Sequence, residues 1–382
     1  MTRIYLDHAA TTTVRPEAIA AMVPLLGSGY NPSSLHAEGR AARNAVDEAR
    51  ATVARVLGAH PREIVFTGGG SESDTLAVAG GARAASARGR HIVTSAIEHP
   101  AVMGAVARLE REGWTVTRLP VDAQGLVVPA AFEAALTPQT ALASIMLANN
   151  EIGVIEPIAK LAAIARAHGV VFHTDAIQAP GWLPLDVAQL GVDLLSLSAH
   201  KFAGPKGVGI LYVRRGVGVA PLVDGGGQEH GLRAGTENVA GIAGTAVALA
   251  LAEAERPATA PRIAALRDRL AAAITGQIPD VVINGAAAPR LPGLLSVAFG
   301  GAPSDALLMR LDLAGIAASA GSACAAGSLE PSHVAAALGL GERYRRSVIR
   351  FSLGKGTAEA EIDDVIRRLP ALVADVRSPV AV

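Results

Sequence analysis

Six short β-rich runs, at residues 64–67, 91–94, 115–119, 142–147, 170–175 and 193–198, alternate with stretches of helical spacing. Strands that take turns with helical crossovers predict an α/β domain around a largely parallel sheet. Between the runs, Val46, Ala49, Val53 and Val56 recur at helical spacing, as do Leu161, Ile164 and Ala165 ahead of Gly169. Each crossover helix therefore has a face to bury. Near residue 257 the pattern changes. Pro257 and Pro261 flank a linker-like stretch, and a helix carrying Ile263, Leu266, Leu270 and Ile274 follows. Short strands at 296–299 and 348–352 then alternate with helices, the last of which carries Ile362, Val365, Ile366 and Leu369. The expected division is a large domain over residues 15–256 and a smaller α+β domain formed by 1–14 and 257–382. A chain of 382 residues, 50% hydrophobic, is long enough for one large core and a second smaller one.

Basic and acidic residues number 34 each, and no block of like charge marks a nucleic-acid or membrane footprint. Aromatic residues at 3% argue against base stacking on single strands. The single cysteine cannot form an internal disulfide and suits a reducing cytoplasm. The first eight residues lack the apolar core of an export signal. Apolar runs such as 208–213 end well short of the roughly 20 residues that span a bilayer. A soluble cytoplasmic protein acting on small molecules is the expectation.

Three strand ends carry chemistry. Gly68-Gly-Gly-Ser-Glu-Ser-Asp74 follows the run at 64–67 and opens an apolar helix, which gathers backbone N–H groups for an anion. It is neither a dinucleotide fingerprint, since Ser73 stands where the third glycine belongs, nor a Walker loop. Alone, it is equally a tight turn. Asp175 ends the run at 170–175, ahead of Gln178, and places a carboxylate at the edge where α/β sheets bind ligands; a helix N-cap is the plainer reading. Ser198-Ala-His-Lys201 follows the last run and leads into a glycine-rich turn. A lysine that forms an imine needs such a place, where burial and neighbouring charge lower its pKa, although a surface loop would also hold one.

Taken in order, the motifs resemble the NifS/IscS-type cysteine desulfurases of the class V aminotransferase family. The resemblance spans nearly the whole chain, from Tyr5-Leu-Asp-His-Ala-Ala-Thr-Thr12 through Asn31-Pro-Ser-Ser-Leu-His36, Gly69-Gly-Ser-Glu-Ser73, Glu98-His99, Asn149-Asn-Glu-Ile-Gly153, Asp175-Ala-Ile-Gln178 and Ser198-Ala-His-Lys201. It continues in Gly225-Gly-Gly-Gln-Glu229, Arg233-Ala-Gly-Thr236, Gly321-Ser-Ala-Cys324 and Ile349-Arg-Phe-Ser-Leu-Gly354. It implies an aminotransferase-like fold of type I that uses pyridoxal 5'-phosphate. Lys201 would carry the cofactor as a Schiff base, and Asp175 would pair with the pyridine nitrogen. Gly70, Ser71, Ser198 and His200 would hold the phosphate, with Thr236 supplied by the other subunit of a homodimer. His99 would stack on the ring and move protons. Asn150 and Gln178 would bond the ring oxygen, and Arg350 would pair with the substrate carboxylate.

The implied reaction converts L-cysteine to L-alanine while its sulfur passes to Cys324 as a persulfide. Only a thiolate is a competent nucleophile there, and His99 is the expected proton acceptor. Cys324 lies in a run of small residues from Ser319 to Gly327 that reads as a mobile loop; without the resemblance, an inert buried thiol is an equal reading. The loop resembles that of the desulfurases serving iron–sulfur assembly or tRNA thiolation, which implies a sulfur-acceptor protein. The chain departs from the pattern at Ala325 and Ser71, where threonine is common, and at Asp74, which replaces a common asparagine. A selenocysteine lyase or class V transaminase is the alternative on the same fold, and a carrier that has lost catalysis is a third reading. No metal is expected, since the ten histidines show no tight ligand spacing, and no Gly-x-Ser-x-Gly elbow marks a serine hydrolase.

Overall fold

In the computed structural model, which describes residues 3–27, 30–320 and 332–378, the strands are β1 (Ile4–Tyr5), β2 (Ile64–Thr67), β3 (His91–Ser95), β4 (Thr115–Leu119), β5 (Thr140–Ser144), β6 (Val171–Asp175), β7 (Leu194–Ser198), β8 (Gly209–Val213), β9 (Val281–Ile283), β10 (Leu294–Phe299), β11 (Ile316–Ala317) and β12 (Val348–Ser352). The central sheet has the order β2-β8-β7-β6-β5-β3-β4. Pairing is parallel from β7 through β4, and β8 runs antiparallel to both β7 and β2. Two antiparallel steps restore direction, so β2 again points the same way as β7. The carboxyl ends of β2, β5, β6 and β7 thus share one edge, where ligands of such sheets bind.

The strand expected at 142–147 is observed at Thr140–Ser144. Its extension is real in hydrogen bonding, because the Ile145 and Leu147 amides still donate to the His173 and Asp175 carbonyls at 3.1 and 2.8 Å. β2 is an edge strand whose outward groups are covered: Arg50 donates to the Ile64 carbonyl, and Glu229 accepts the Phe66 amide at 2.8 Å. These two side chains form a buried ion pair at 2.7 Å, which blocks further strand addition.

The proline-flanked stretch is not a linker. One helix, Val239–Gln277, runs through both Pro257 and Pro261. Each proline removes one backbone donor. Pro257 lies exposed and Pro261 falls one turn later, so water can reach the carbonyls left free. Two apolar clusters lie on either side of this helix. The larger draws on residues from Ala18 to Leu249, and the smaller joins Ile4 and Leu6 to residues from Ile263 to Val373. The second cluster packs under an antiparallel sheet of order β12-β10-β9. β1 reaches it by pairing with β11, and Asp7 bridges to Ser352 of β12. No helix among the described residues is long and apolar enough to cross a membrane.

Candidate active site

The floor of the site is built from strand ends. Asp175 closes β6 and its Oδ1 accepts the Ile177 amide at 2.9 Å. That bond turns the chain back on itself, and no helix follows, so the carboxylate is not the N-cap its position allowed. Burial pushes its pKa up to about 6, against the pull of the Ile177 amide and of Lys201. Ser198 closes β7, and its Oγ accepts the Gly70 amide at 3.3 Å. A single turn, Ala199–Lys201, then presents His200 and Lys201. Burial and the nearby Lys201 and Lys206 charges lower the His200 pKa to about 4.

Gly70 begins the helical run after β2. A Cβ at this position would lie 2.5 Å from Ile177 Cδ1 and 3.0 Å from Ser198 Cβ, so only glycine lets the helix start press on the ends of β6 and β7. The turn before it needs glycine too, since Gly69 has φ of +146°.

His99 caps the helix Pro100–Arg111, its Nδ1 accepting the Ala101 amide at 3.1 Å. Burial, then Lys201 and His333, lower its pKa to about 4, so the ring is neutral near neutral pH. With Nδ1 acting as acceptor, the ring hydrogen is assigned to Nε2. In this state His99 offers a donor, and it can accept a proton only by releasing the Ala101 bond.

The wall comes from distant segments. Lys201 Nζ donates to the Ala9 and Ala10 carbonyls at 2.6 and 2.8 Å. Gln178 Nε2 donates to Ala9 at 3.0 Å, and His200 Nδ1 sits 3.1 Å from Thr11 Oγ1. Arg350, on β12, has a side chain only 1% exposed and pairs with Asp7 at 2.8 Å. Its Nη1 also donates to the Asn150 carbonyl at 2.8 Å. The arginine expected to meet a substrate carboxylate is thus seen bound to one of the chain's own.

Floor and wall, apart from Asp7 and Thr11 behind them, line a cavity of about 230 Å³. Of the described residues that the resemblance assigned to the site, all line it except one. Thr236 is exposed and lies outside it, on a segment tethered where Arg233 pairs with Glu72 at 2.9 Å. Cys324 lies outside the described residues, as does the rest of 321–331. A second cavity, of about 420 Å³, shares Ala9, Gln178 and Lys201 with the first. Sequence reasoning missed the Ala9 and Ala10 carbonyls and the Asp7 partner, which no local pattern signals. It also missed a buried polar layer beneath the floor, of which the unusual Asp74 was the one visible sign.

The donor set fits pyridoxal phosphate. It offers a primary amine, a buried carboxylate able to face a cationic ring nitrogen, and a glycine-cradled helix start beside Ser198 for an anion. Residues 4–365 match the model of the aminotransferase class-V family. This chain belongs to that family. It is 46% identical over 376 residues to a protein of Dictyoglomus turgidum named cysteine desulfurase IscS, covering 98% of this chain and 95% of that one. A solved NifS-like protein superposes with a TM-score of 0.91 at 36% identity, covering 98% of this chain and all of its own. A structure described as SspA in complex with cysteine gives 0.81 at 37% identity, over 94% of this chain and 100% of that chain. The fold is the pyridoxal-phosphate fold of type I, and the cofactor of this class V enzyme is pyridoxal 5'-phosphate.

Proposed function

We propose that the chain is a cysteine desulfurase in which Lys201, Asp175, His99 and Arg350 act on one bound L-cysteine, and Cys324 receives its sulfur. The observation that carries this reading is the convergence of those four side chains on the single cavity floored by Gly70 and Ser198. Pyridoxal phosphate, when bound, supplies an electron sink for charge developing at the substrate Cα.

Lys201 would hold the cofactor through its primary amine, and the same amine is the base placed to take the Cα proton. Asp175 would keep the ring nitrogen protonated, while Ser71, Ser198, His200 and the Gly70 amide would hold the phosphate. Asn150 and Gln178 would bond the ring oxygen. Arg350 exchanges Asp7 for the substrate carboxylate, a bidentate match its guanidinium can make. Cys324 attacks the substrate sulfur as a thiolate; an S–S bond forms as the Cβ–S bond breaks with its electron pair left on carbon, Cβ takes up a proton equivalent to the one the Cys324 thiol gave up, and the proton removed from Cα returns there to give alanine. The net change, L-cysteine plus thiol to L-alanine plus persulfide, needs no outside oxidant. His99, in the tautomer assigned from its helix cap, supplies a hydrogen-bond donor and takes the thiol proton only when that cap opens.

The same reading makes the protein a cytoplasmic homodimer, Thr236 reaching the partner's phosphate site, that passes sulfur to an acceptor protein for iron–sulfur assembly or tRNA thiolation. It also divides the chain into working units at 15–256 and at 1–14 with 257–382, a division that the two apolar clusters support. The test is alanine formed from L-cysteine by the purified protein with a reductant present. Wild type is expected to release alanine and sulfide, while Lys201→Ala and Cys324→Ala fail. Full activity in Cys324→Ala would remove the persulfide step and leave a lyase or transaminase.

A further inference from the structure

Beneath Asp175 lies a layer of polar side chains closed to solvent. Asp74, on the helix Gly70–Thr75, is fully buried, and among the described residues neither of its carboxyl oxygens makes a hydrogen bond of ordinary geometry, the Ser196 hydroxyl of β7 being its one polar neighbour that favours the charged form. One oxygen stands 3.8 Å from His173 Nε2. That histidine is already engaged, with Nδ1 2.8 Å from Ser144 Oγ and Nε2 2.9 Å from Ser196 Oγ. Burial lowers its pKa to about 3, so it brings no positive charge. A carboxyl oxygen of Asp74, one of Asp175 and a ring nitrogen of His99 all lie within 4.8 Å of one another.

Two carboxylates this close and this deeply buried do not readily both ionise. The surroundings decide which one keeps the charge. Asp175 accepts the Ile177 amide and lies near Lys201, whereas Asp74 is raised well above its ordinary range by burial, then by Asp175, with Glu98 adding to it and only the Ser196 hydroxyl pulling the other way. Glu98, just ahead of the helix Pro100–Arg111, is itself pushed up to about 8 by burial. The other packed elements offer Asp74 no cation: β2 and β7 carry no titratable group, Tyr212 of β8 pairs with Ile64 at the far end of β2, and Arg108, Glu110 and Arg111 extend from the outer face of their helix.

We propose that Asp74 is a positioning residue that holds one proton beneath Asp175, so that the pair carries a single negative charge and this charge lies on the carboxylate assigned to the cofactor's ring nitrogen. The inference rests on that assignment of Asp175. A second, neutral carboxyl keeps the buried layer from competing with Asp175 for the ring proton.

The test compares wild-type holoprotein with Asp74→Asn and Asp175→Asn. Infrared difference spectra near neutral pH should show that Asp74→Asn removes one carbonyl band of a protonated carboxylic acid; no such loss overturns the proposal. The visible absorbance of the bound cofactor, titrated with pH, should move by less than about half a unit in Asp74→Asn, because no charge is removed. A move of about one unit or more marks a lost charge and also overturns it. If Asp74→Asn does not fold, Asp74→Leu, which is close in shape, replaces it, and failure of both shows that charge is required there and overturns it too. Asp175→Asn tests the underlying assignment separately: an unaltered cofactor spectrum in that variant refutes the role of Asp175 whatever Asp74 does.

Discussion

The floor and the wall of the cavity are made in opposite ways. On the floor, Gly70, Asp175, Ser198 and Lys201 each lie within three residues of the carboxyl end of a strand in one sheet. On the wall, Arg350 meets Asp7 across 343 residues of chain and Asn150 across 200, and Lys201 meets Ala9 across 192. A group fixed by one rigid sheet can be changed with little effect on its neighbours. A group clamped between remote segments serves binding and cohesion together.

The strongest way to break this contrast is to weaken each side and compare kinetic signatures. Asp175→Asn should lower kcat by roughly 10²–10³-fold, the usual loss when preorganised charge is removed from a reacting centre, with little change in thermal stability. Arg350→Lys keeps the charge but loses the planar fork. Its main effect should be a KM for L-cysteine raised roughly 10- to 100-fold, in line with the roughly 1.5–3 kcal/mol of a hydrogen bond to a charged group, and a lower melting temperature. Equal kcat losses in both variants, with KM unchanged, would erase the distinction.

A smaller effect separates the two regions by pH. His99 and His200, both on the floor, titrate near 4 in the folded protein against an ordinary 6.5, with burial the first cause. Below 6.5 the unfolded chain takes up protons that the folded one refuses. Stability is therefore fully present above that pH and is lost as pH falls toward 4. Calorimetry from pH 7 to 4 should show the melting temperature falling over this window. His200→Asn should flatten the slope by up to one proton, whereas Arg350→Lys should lower the curve without changing its slope.

This contrast also explains what was legible in the sequence. The α/β class, the strand ends at 67, 175 and 198, and the floor residues could be read because strand, turn and functional group lie within a few positions of each other. β8 was legible only as an apolar run, since nothing local reveals that it inserts antiparallel between β2 and β7. Pro257 and Pro261 pointed to a linker because backbone rules are local, while the helix that absorbs them is held by packing at its two ends. The wall was invisible for the same reason: backbone carbonyls such as Ala9 and Ala10 have no residue signature, and Asp7 becomes a partner of Arg350 only after β1 pairs with β11 and Asp7 bridges to β12.

The finest test lies within the wall itself. Asp7, with a side chain 21% exposed against 1% for Arg350, holds the guanidinium where a substrate carboxylate is proposed to bind. Asp7→Asn keeps the shape and removes the competing charge. Two effects of opposite sign should follow. Cohesion weakens, by about 1 kcal/mol for a partly exposed pair, which lowers the melting temperature slightly. Substrate binding tightens a few-fold, seen as a lower KM at constant kcat, because L-cysteine no longer displaces a bound carboxylate. A raised KM would mean that Asp7 orients Arg350 for the substrate instead of competing with it, and the wall would then be preorganised in the manner of the floor.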